Sequence, residues 1–303
     1  MSVIPDFVIQ DWRDQYNEDG DLWTTYSEVD RERVLDAVDL DEIQLKRKLL
    51  LPAEILRPED PPKYVASAGG PLARKSTILE RYLGSDGLEN MVRVDPDQWG
   101  MRFMVETYID YLMSSSMIAG SDYPYAQRRA YDVARPASNF ITLEVLNAAA
   151  KKKANIAHGT TMTSPHISSL LNSIKGEGYD ITLLLCDAPD DVRAAGQEFR
   201  SSVQGYYQAT PEDIRNKGWD FPQRMEDYFK YGDILEVFWT DSFDSETEHA
   251  ATFDKGELTV HSNGAFSRFI NNYIEKSRTL AERGTRLPSF DSIRTSYLGR
   301  SFG

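Results

Sequence analysis

The sequence predicts an α/β fold, a parallel sheet covered by helices on both faces and preceded by a helical N-terminal leader. Three observations carry that prediction. From Lys63 onward short apolar runs alternate with stretches of helical spacing, the order that builds a parallel sheet with crossover helices. A glycine turn, "GGPLARKST" at Gly69 to Thr77, joins the first apolar run to the first helix. The proline group "LRPEDPPKY" breaks any preceding helix and divides this pattern from what comes before it.

In the leader, residues 1–60, "SEVDRERVLDAVDL" reads as a helix. Ser27 caps it, acids fill the first turn, and Val34, Leu35 and Val38 share one face. The main domain is expected over 61–276. There "YVASA" is a strand, "RKSTILERYL" a helix, and "MVRVDPD" a second strand ending in acids. Two helical stretches, "GMRFMVETYIDYLMSSS" and "ASNFITLEVLNAAAKKK", lead to a third strand, "ANIAHGTT". "SPHISSLLNSIKGEGY" reads as a capped helix with a glycine stop, and "DITLLLCDAP" is the strongest strand. A helix over "PDDVRAAGQEFRSSVQGYY" opens a mostly helical region, and "ILEVFWTDS" and "ELTVHS" close the domain as strands, with a turn in "TFDKGE" between them. Residues 277–303, with Arg278, Arg283, Arg286, Arg294 and Arg300 against few acids, are expected to be a solvated basic tail.

Composition narrows the function. Hydrophobic residues at 41% and charged residues at 27% suit a globular protein with a substantial core. A net charge of −14 argues against nucleic-acid binding, which draws on fields of lysine and arginine, and suits a basic protein partner. No run approaches the roughly 18 apolar residues of a membrane span, and "MSVIPDFVIQDWRDQ" lacks the basic start and apolar stretch of a Sec signal. The expected location is cytoplasmic, or a recipient cell reached without a Sec signal. Cys186 is the only cysteine, which excludes an internal disulfide and paired-cysteine zinc sites; within "ITLLLC" it reads as a buried thiol.

"GGPLARKST" nearly matches the phosphate-binding pattern G-x-x-x-x-G-K-[ST]: Gly69, Lys75 and Ser76 are in register, and Arg74 stands where the second glycine belongs. A strand that ends in glycines and opens into a helix gathers backbone N–H groups and the positive end of a helix dipole at one point, where phosphate oxygens bind. The expected nucleotide contacts are Gly69, Gly70, Ala73, Arg74, Lys75, Ser76 and Thr77, with Lys75 on the β and γ phosphates and Ser76 on Mg²⁺. If residue 74 takes a left-handed backbone, its side chain costs about 1 kcal/mol. The bland alternative is a glycine turn before a helix bearing surface cations.

Three further features follow. Asp95 and Asp97 in "VDPDQW" end a strand, the position from which a carboxylate faces a ligand crevice and deprotonates or orients an attacking hydroxyl. "HGTT" at His158 to Thr161 ends another strand, where its hydroxyls hold a polar substrate or simply make a turn, and His158 is a base or a structural histidine. Arg200 in "QEFRSS" either neutralises a transferring phosphoryl group or is a surface arginine.

In their order, "GGPLARKST", "VRVDPDQW", "ASNFITLEVLNAAAKKKANIAHGT", "GYDITLLLCDAPDDVRAAGQEFR", "QATPED" and the final strand pair resemble the zeta-toxin family of P-loop small-molecule kinases. The likeness runs from about Lys63 to Ser262 and implies a P-loop kinase-like fold. It implies ATP and Mg²⁺ as cofactors, and a sugar hydroxyl of a nucleotide metabolite as phosphate acceptor, most familiarly UDP-N-acetylglucosamine. Position by position it makes Lys75 and Ser76 the phosphate and metal ligands, Asp97 the base with Asp95 beside it, and Arg200 the arginine of the transition state. Glu144 and Thr160 fall near the family's substrate contacts, with His158 preceding the G-T turn. Arg74, Gln208 and Met162 depart from the family, the last two standing where it places arginines. The changed substrate turn is similar to a branch of bacterial effectors that phosphorylate NAD. The resemblance further implies toxicity and a neutralising antitoxin or chaperone protein. The alternative function is an inactive nucleotide-binding module acting through a protein partner.

Overall fold

The computed structural model describes residues 61–97, 135, 138–139, 142–143, 145–203 and 211–301. The predicted leader helix, Glu144 and Gln208 lie outside the described residues.

Strand β1 (Lys63–Ala68) leads through the glycine turn into α1 (Lys75–Glu89), which is kinked at Gly84. β2 (Val92–Val94), the helical residues 145–151 and β3 (Ile156–His158) follow. Next come α2 (Ile167–Gly176), β4 (Asp180–Asp187), α3 (Asp190–Val203), α4 (Pro211–Gln223) and α5 (Met225–Tyr231). β5 (Ile234–Trp239), β6 (Glu248–Asp254), β7 (Glu257–Val260), α6 (Asn263–Glu282) and α7 (Phe290–Leu298) complete the order.

The strands form one sheet in the order β2-β3-β1-β4-β5-β6-β7. β4 pairs in parallel with β1 and with β5, in registers that set Ala68 opposite Leu185 and Asp187 opposite Trp239. The carboxyl ends of these three strands therefore share one edge, where open α/β sheets bind ligands. Every residue of β4 after Asp180 is buried, which is why "ITLLLC" is apolar throughout and does not alternate.

The chain divides into two compact units: Met1–Glu59, Glu89–Ile156 and Val203–Gln208 make the first, and Asp60–Leu88, Ala157–Ser202 and Ala209–Gly303 the second. The first holds β2 and the Asp95–Asp97 turn, and the second holds the glycine turn and the sheet from β1 to β7.

Two expectations are corrected here. The expected turn in "TFDKGE" is present, but the stretch before it, "EHAATFD", not expected as a strand, forms β6, antiparallel to both β5 and β7. The turn is confined to Lys255 and Gly256, both at positive φ (43° and 89°), the backbone that a tight two-residue hairpin requires. The alanines of β6 have weak strand preference and are buried instead by packing, so local propensity hides the strand.

The basic tail, in turn, is a packed helix. In α7, Phe290, Ile293 and Tyr297 are buried at helical spacing, while its one arginine, Arg294, pairs with Asp291 at the surface. The Phe290 ring meets Phe229, Phe266, Phe269 and Tyr273 at centroid distances of 5.7 to 6.2 Å. Tyr297 Oη donates to the carbonyls of Asp233 and Phe253, and Arg300 Nη1 to that of Phe229 at 2.7 Å. Phe290→Ala is therefore expected to lower the unfolding free energy by about 3–5 kcal/mol in chemical denaturation. Arg294→Ala on the same helix, which removes only an exposed pair with Asp291, should stay within about 0.5 kcal/mol. A Phe290→Ala loss as small as that of Arg294→Ala would contradict the docking of α7.

Candidate functional site

The phosphate loop begins with a close approach. Gly69 leaves β1 at φ 149°, and a β-carbon there would stand 2.1 Å from the carbonyl oxygen of Cys186 on β4. Only glycine fits that position. Leu72 and Arg74 then take left-handed backbone at φ 66° and 57°, turning the chain into α1. The Gly70 carbonyl accepts from Lys75 Nζ at 2.6 Å, so the lysine lies across the loop. α1 starts at Lys75 with no acid in its first turn, and its positive end opens on the loop. Ser76 is half-buried, Thr77 exposed and Ala73 buried. The seven expected nucleotide contacts thus form one continuous turn.

Arg74 fills the left-handed position that the pattern gives to glycine, and its guanidinium Nη2 donates to the carbonyl of Phe243 in the loop after β5. That charge-assisted bond offsets the backbone strain. Arg74→Gly relieves the strain as it loses the bond, whereas Arg74→Ala loses the bond and keeps the strain. Arg74→Gly is expected to be the more stable of the two by about 1 kcal/mol in denaturant titration.

Behind the loop lies a buried group of charges whose roles were not assigned from the sequence. Arg193 of α3 is fully buried, with Nη1 donating to Ile214 O at 2.7 Å and Nη2 to Asp190 Oδ1 at 2.5 Å. Its guanidinium passes between two glycines: a β-carbon on Gly70 would stand 2.6 Å from Nη1, and one on Gly218 of α4 1.9 Å from Nη2. Asp187, at the end of β4, accepts from Asn272 Nδ2 at 2.7 Å, and Lys276 of α6 stands 3.8 Å from it and 3.4 Å from Asp190. Burial works against the charge on Asp190, but Lys276 and Arg193 outweigh it and hold the carboxyl below its usual range. Burial pushes the Cys186 thiol up to about 12, with Lys75 pulling the other way and Asp187 adding to the rise, so it stays a neutral thiol as expected.

The G-T turn meets the phosphate loop directly. Gly69 N donates to Thr161 O at 3.0 Å, and Ser67 Oγ of β1 donates to Thr160 O at 3.1 Å. Thr160 Oγ1 accepts from Met162 N, while Met162 itself is buried at φ 55° and its carbonyl accepts from Tyr228 Oη at 2.7 Å. His158 is buried, its Nδ1 2.6 Å from Tyr64 Oη. Burial lowers the His158 pKa to about 4 and raises that of Tyr64, so the phenol donates to a neutral ring. Because the unfolded histidine binds its proton near pH 6.5, this group makes stability fall between pH 6.5 and about 4. His158→Gln is expected to flatten the stability profile over that window in denaturation at stepped pH; an unchanged slope would contradict the buried neutral ring.

The acidic turn belongs to the other unit. Asp95 Oδ1 accepts from the backbone N of Asp97 at 2.8 Å, and Arg135 Nη1 is ion-paired with Asp97 Oδ1. Ser138 Oγ donates to Pro96 O, holding the same turn. Asp95 is thus a scaffold for Asp97, and Arg135 is a partner the sequence did not suggest: it sits 38 residues away, beside a proline. Arg200 lies on α3, two turns beyond Arg193; its side chain, like Glu144, is outside the described residues.

A family model described as Zeta toxin matches residues 52–217. Among solved structures, a chain of the AvrRxo1-ORF1:AvrRxo1-ORF2 complex is similar at TM-score 0.54 and 13% identity, over 98% of this chain and 95% of that one. The same complex with ATP matches at 0.52 and 13%, over 95% and 93%. The PezAT chromosomal toxin-antitoxin system of Streptococcus pneumoniae matches at 0.50 and 12%, over 91% and 99%. At these identities the likeness shows the fold. No curated protein matches the chain.

Proposed function

Because the chain belongs to the zeta toxin family, we propose that it is an ATP-dependent kinase whose acceptor is a sugar hydroxyl of a nucleotide metabolite. The observation that carries this reading is the loop from Gly69 to Ser76, with Lys75 Nζ lying across it and the acid-free first turn of α1 at its end. The backbone N–H groups and the α1 dipole receive the β and γ phosphates, and Lys75 moves from the Gly70 carbonyl to them. The Ser76 hydroxyl is a hard oxygen ligand of the type Mg²⁺ takes, and the metal supplies charge neutralisation between the phosphates.

In this reading Asp97 takes the proton of the acceptor hydroxyl as its oxygen bonds to the γ-phosphorus and the bond to the ADP oxygen breaks. Asp95 holds the backbone of Asp97, and Arg135 holds its carboxylate. Arg200 neutralises charge on the transferring group, and Glu144 and Thr160 contact the acceptor. His158 supports the substrate turn through Tyr64. NAD stands ahead of UDP-N-acetylglucosamine as acceptor: residue 162 carries no cation, and its buried side chain turns away from solvent. A protein partner that neutralises the enzyme accords with its structural neighbours, one from the AvrRxo1-ORF1:-ORF2 complex and one from the PezAT toxin-antitoxin system. One observation favours the second reading, a nucleotide-binding module without turnover: Arg74 occupies a loop position that the pattern reserves for glycine.

The variants separate these readings. Asp97→Asn is expected to reduce phosphorylated product by about 10²- to 10⁴-fold while leaving ATP affinity within a few-fold. Lys75→Ala should weaken both. Near-normal turnover in Asp97→Asn would remove Asp97 as the base, and ATP binding with no product from the unaltered protein would favour the binding module.

A further inference from the structure

Phe199 is 54% exposed, the most open large apolar side chain among the described residues. It stands on α3 with its ring centroid 5.2 Å from that of Phe243, the planes tilted by 50°. Phe243 lies in the loop after β5, at the carboxyl edge of the sheet, and its carbonyl is the acceptor for the Arg74 guanidinium. Gly196, one turn before Phe199, closes the group. A β-carbon there would stand 3.5 Å from Leu72 Cβ of the phosphate loop and 3.6 Å from Phe243 Cδ2. The exposed Phe199 and the half-buried Phe243 thus form an aromatic pair tied to the phosphate loop through the Arg74–Phe243 bond, with Leu72 of the loop close to Gly196 on the same helix as Phe199.

We propose that Phe199 and Phe243 form the platform on which the base of the nucleotide stacks, with Arg74 holding Phe243 against the phosphate loop. This rests on the reading of that loop as the triphosphate site. A purine presents two flat π-faces and no charge, so it gains from ring contact without demanding a charged partner. Phe199 has the exposure to receive it, and Phe243, tied to the loop by Arg74, keeps the pair in register with the phosphates. Arg74, which breaks the loop pattern, then has a function of its own: it couples the position of the base platform to the phosphate cradle.

The test compares two probes on the full chain by calorimetric titration, ATP and inorganic tripolyphosphate, the second having no base. For the unaltered protein ATP should bind more tightly than tripolyphosphate. Phe199→Ala should weaken ATP by about 5- to 100-fold and leave tripolyphosphate within twofold, and Phe199→Trp should keep ATP affinity. Phe243→Ala should follow Phe199→Ala, with a thermal melt on each variant to confirm folding. Equal affinity of the unaltered protein for both probes, or an equal loss for both in Phe199→Ala, would overturn the base platform and leave the phosphate site standing. Failure of the unaltered protein to bind either probe would overturn the phosphate site and the platform with it.

Discussion

Gly69 passes so close to β4 that a β-carbon would meet the Cys186 carbonyl oxygen, and the position of the phosphate loop depends on that approach. Pairing β1 with β4 in parallel brings Ala68 level with Leu185, so the loop starts at the carboxyl edge of the sheet. From there two left-handed residues, Leu72 and Arg74, turn the chain within a few residues into the start of α1. The same approach sets Gly69 N on Thr161 O and so joins the substrate turn to the loop. A side chain at position 69 would displace the loop, the turn and the helix start together.

Rigidity behind the loop comes from charges that burial would ordinarily penalise. Arg193, Asp190, Lys276 and Asp187 form a chain of alternating sign, each beside its opposite, with Asp190 alone of the four partly exposed. Removing one partner of such a group leaves another charge buried and uncompensated, which is costlier than an apolar replacement of the whole set. The return is geometric. The Arg193 guanidinium lies between Gly70 and Gly218, and only glycine on both sides admits it there. Loop, α3 and α4 are therefore held by one planar group with directed hydrogen bonds.

Much of this was legible in the residues, and the misses have physical causes. β1, β4 and β5 announce themselves because buried parallel strands are mostly apolar, broken here only by single polar residues such as Ser67, Thr182 and Glu236. Gly69 and Lys75 are visible because close approach and phosphate contact restrict the residue types allowed. Arg74 at positive φ was legible as a question, and its bond to Phe243 was not, since 169 residues separate them. Arg193 drew no assignment from the sequence, because nothing local says that α4 covers it. α7 left a signal in the spacing of Phe290, Ile293 and Tyr297 that the surrounding arginines obscured. β6 left almost none, because its alanines are selected by packing and not by strand preference.

The central claim is that the loop serves phosphoryl transfer to a small acceptor. The most direct measurement is to incubate the unaltered protein with Mg-ATP and a panel of NAD, UDP-N-acetylglucosamine and free nucleosides, and to follow products by mass spectrometry. The account predicts that one acceptor gains a single phosphate while ADP forms in equal amount. ATP binding with no phosphorylated member of the panel, and no ADP beyond the control, would contradict it.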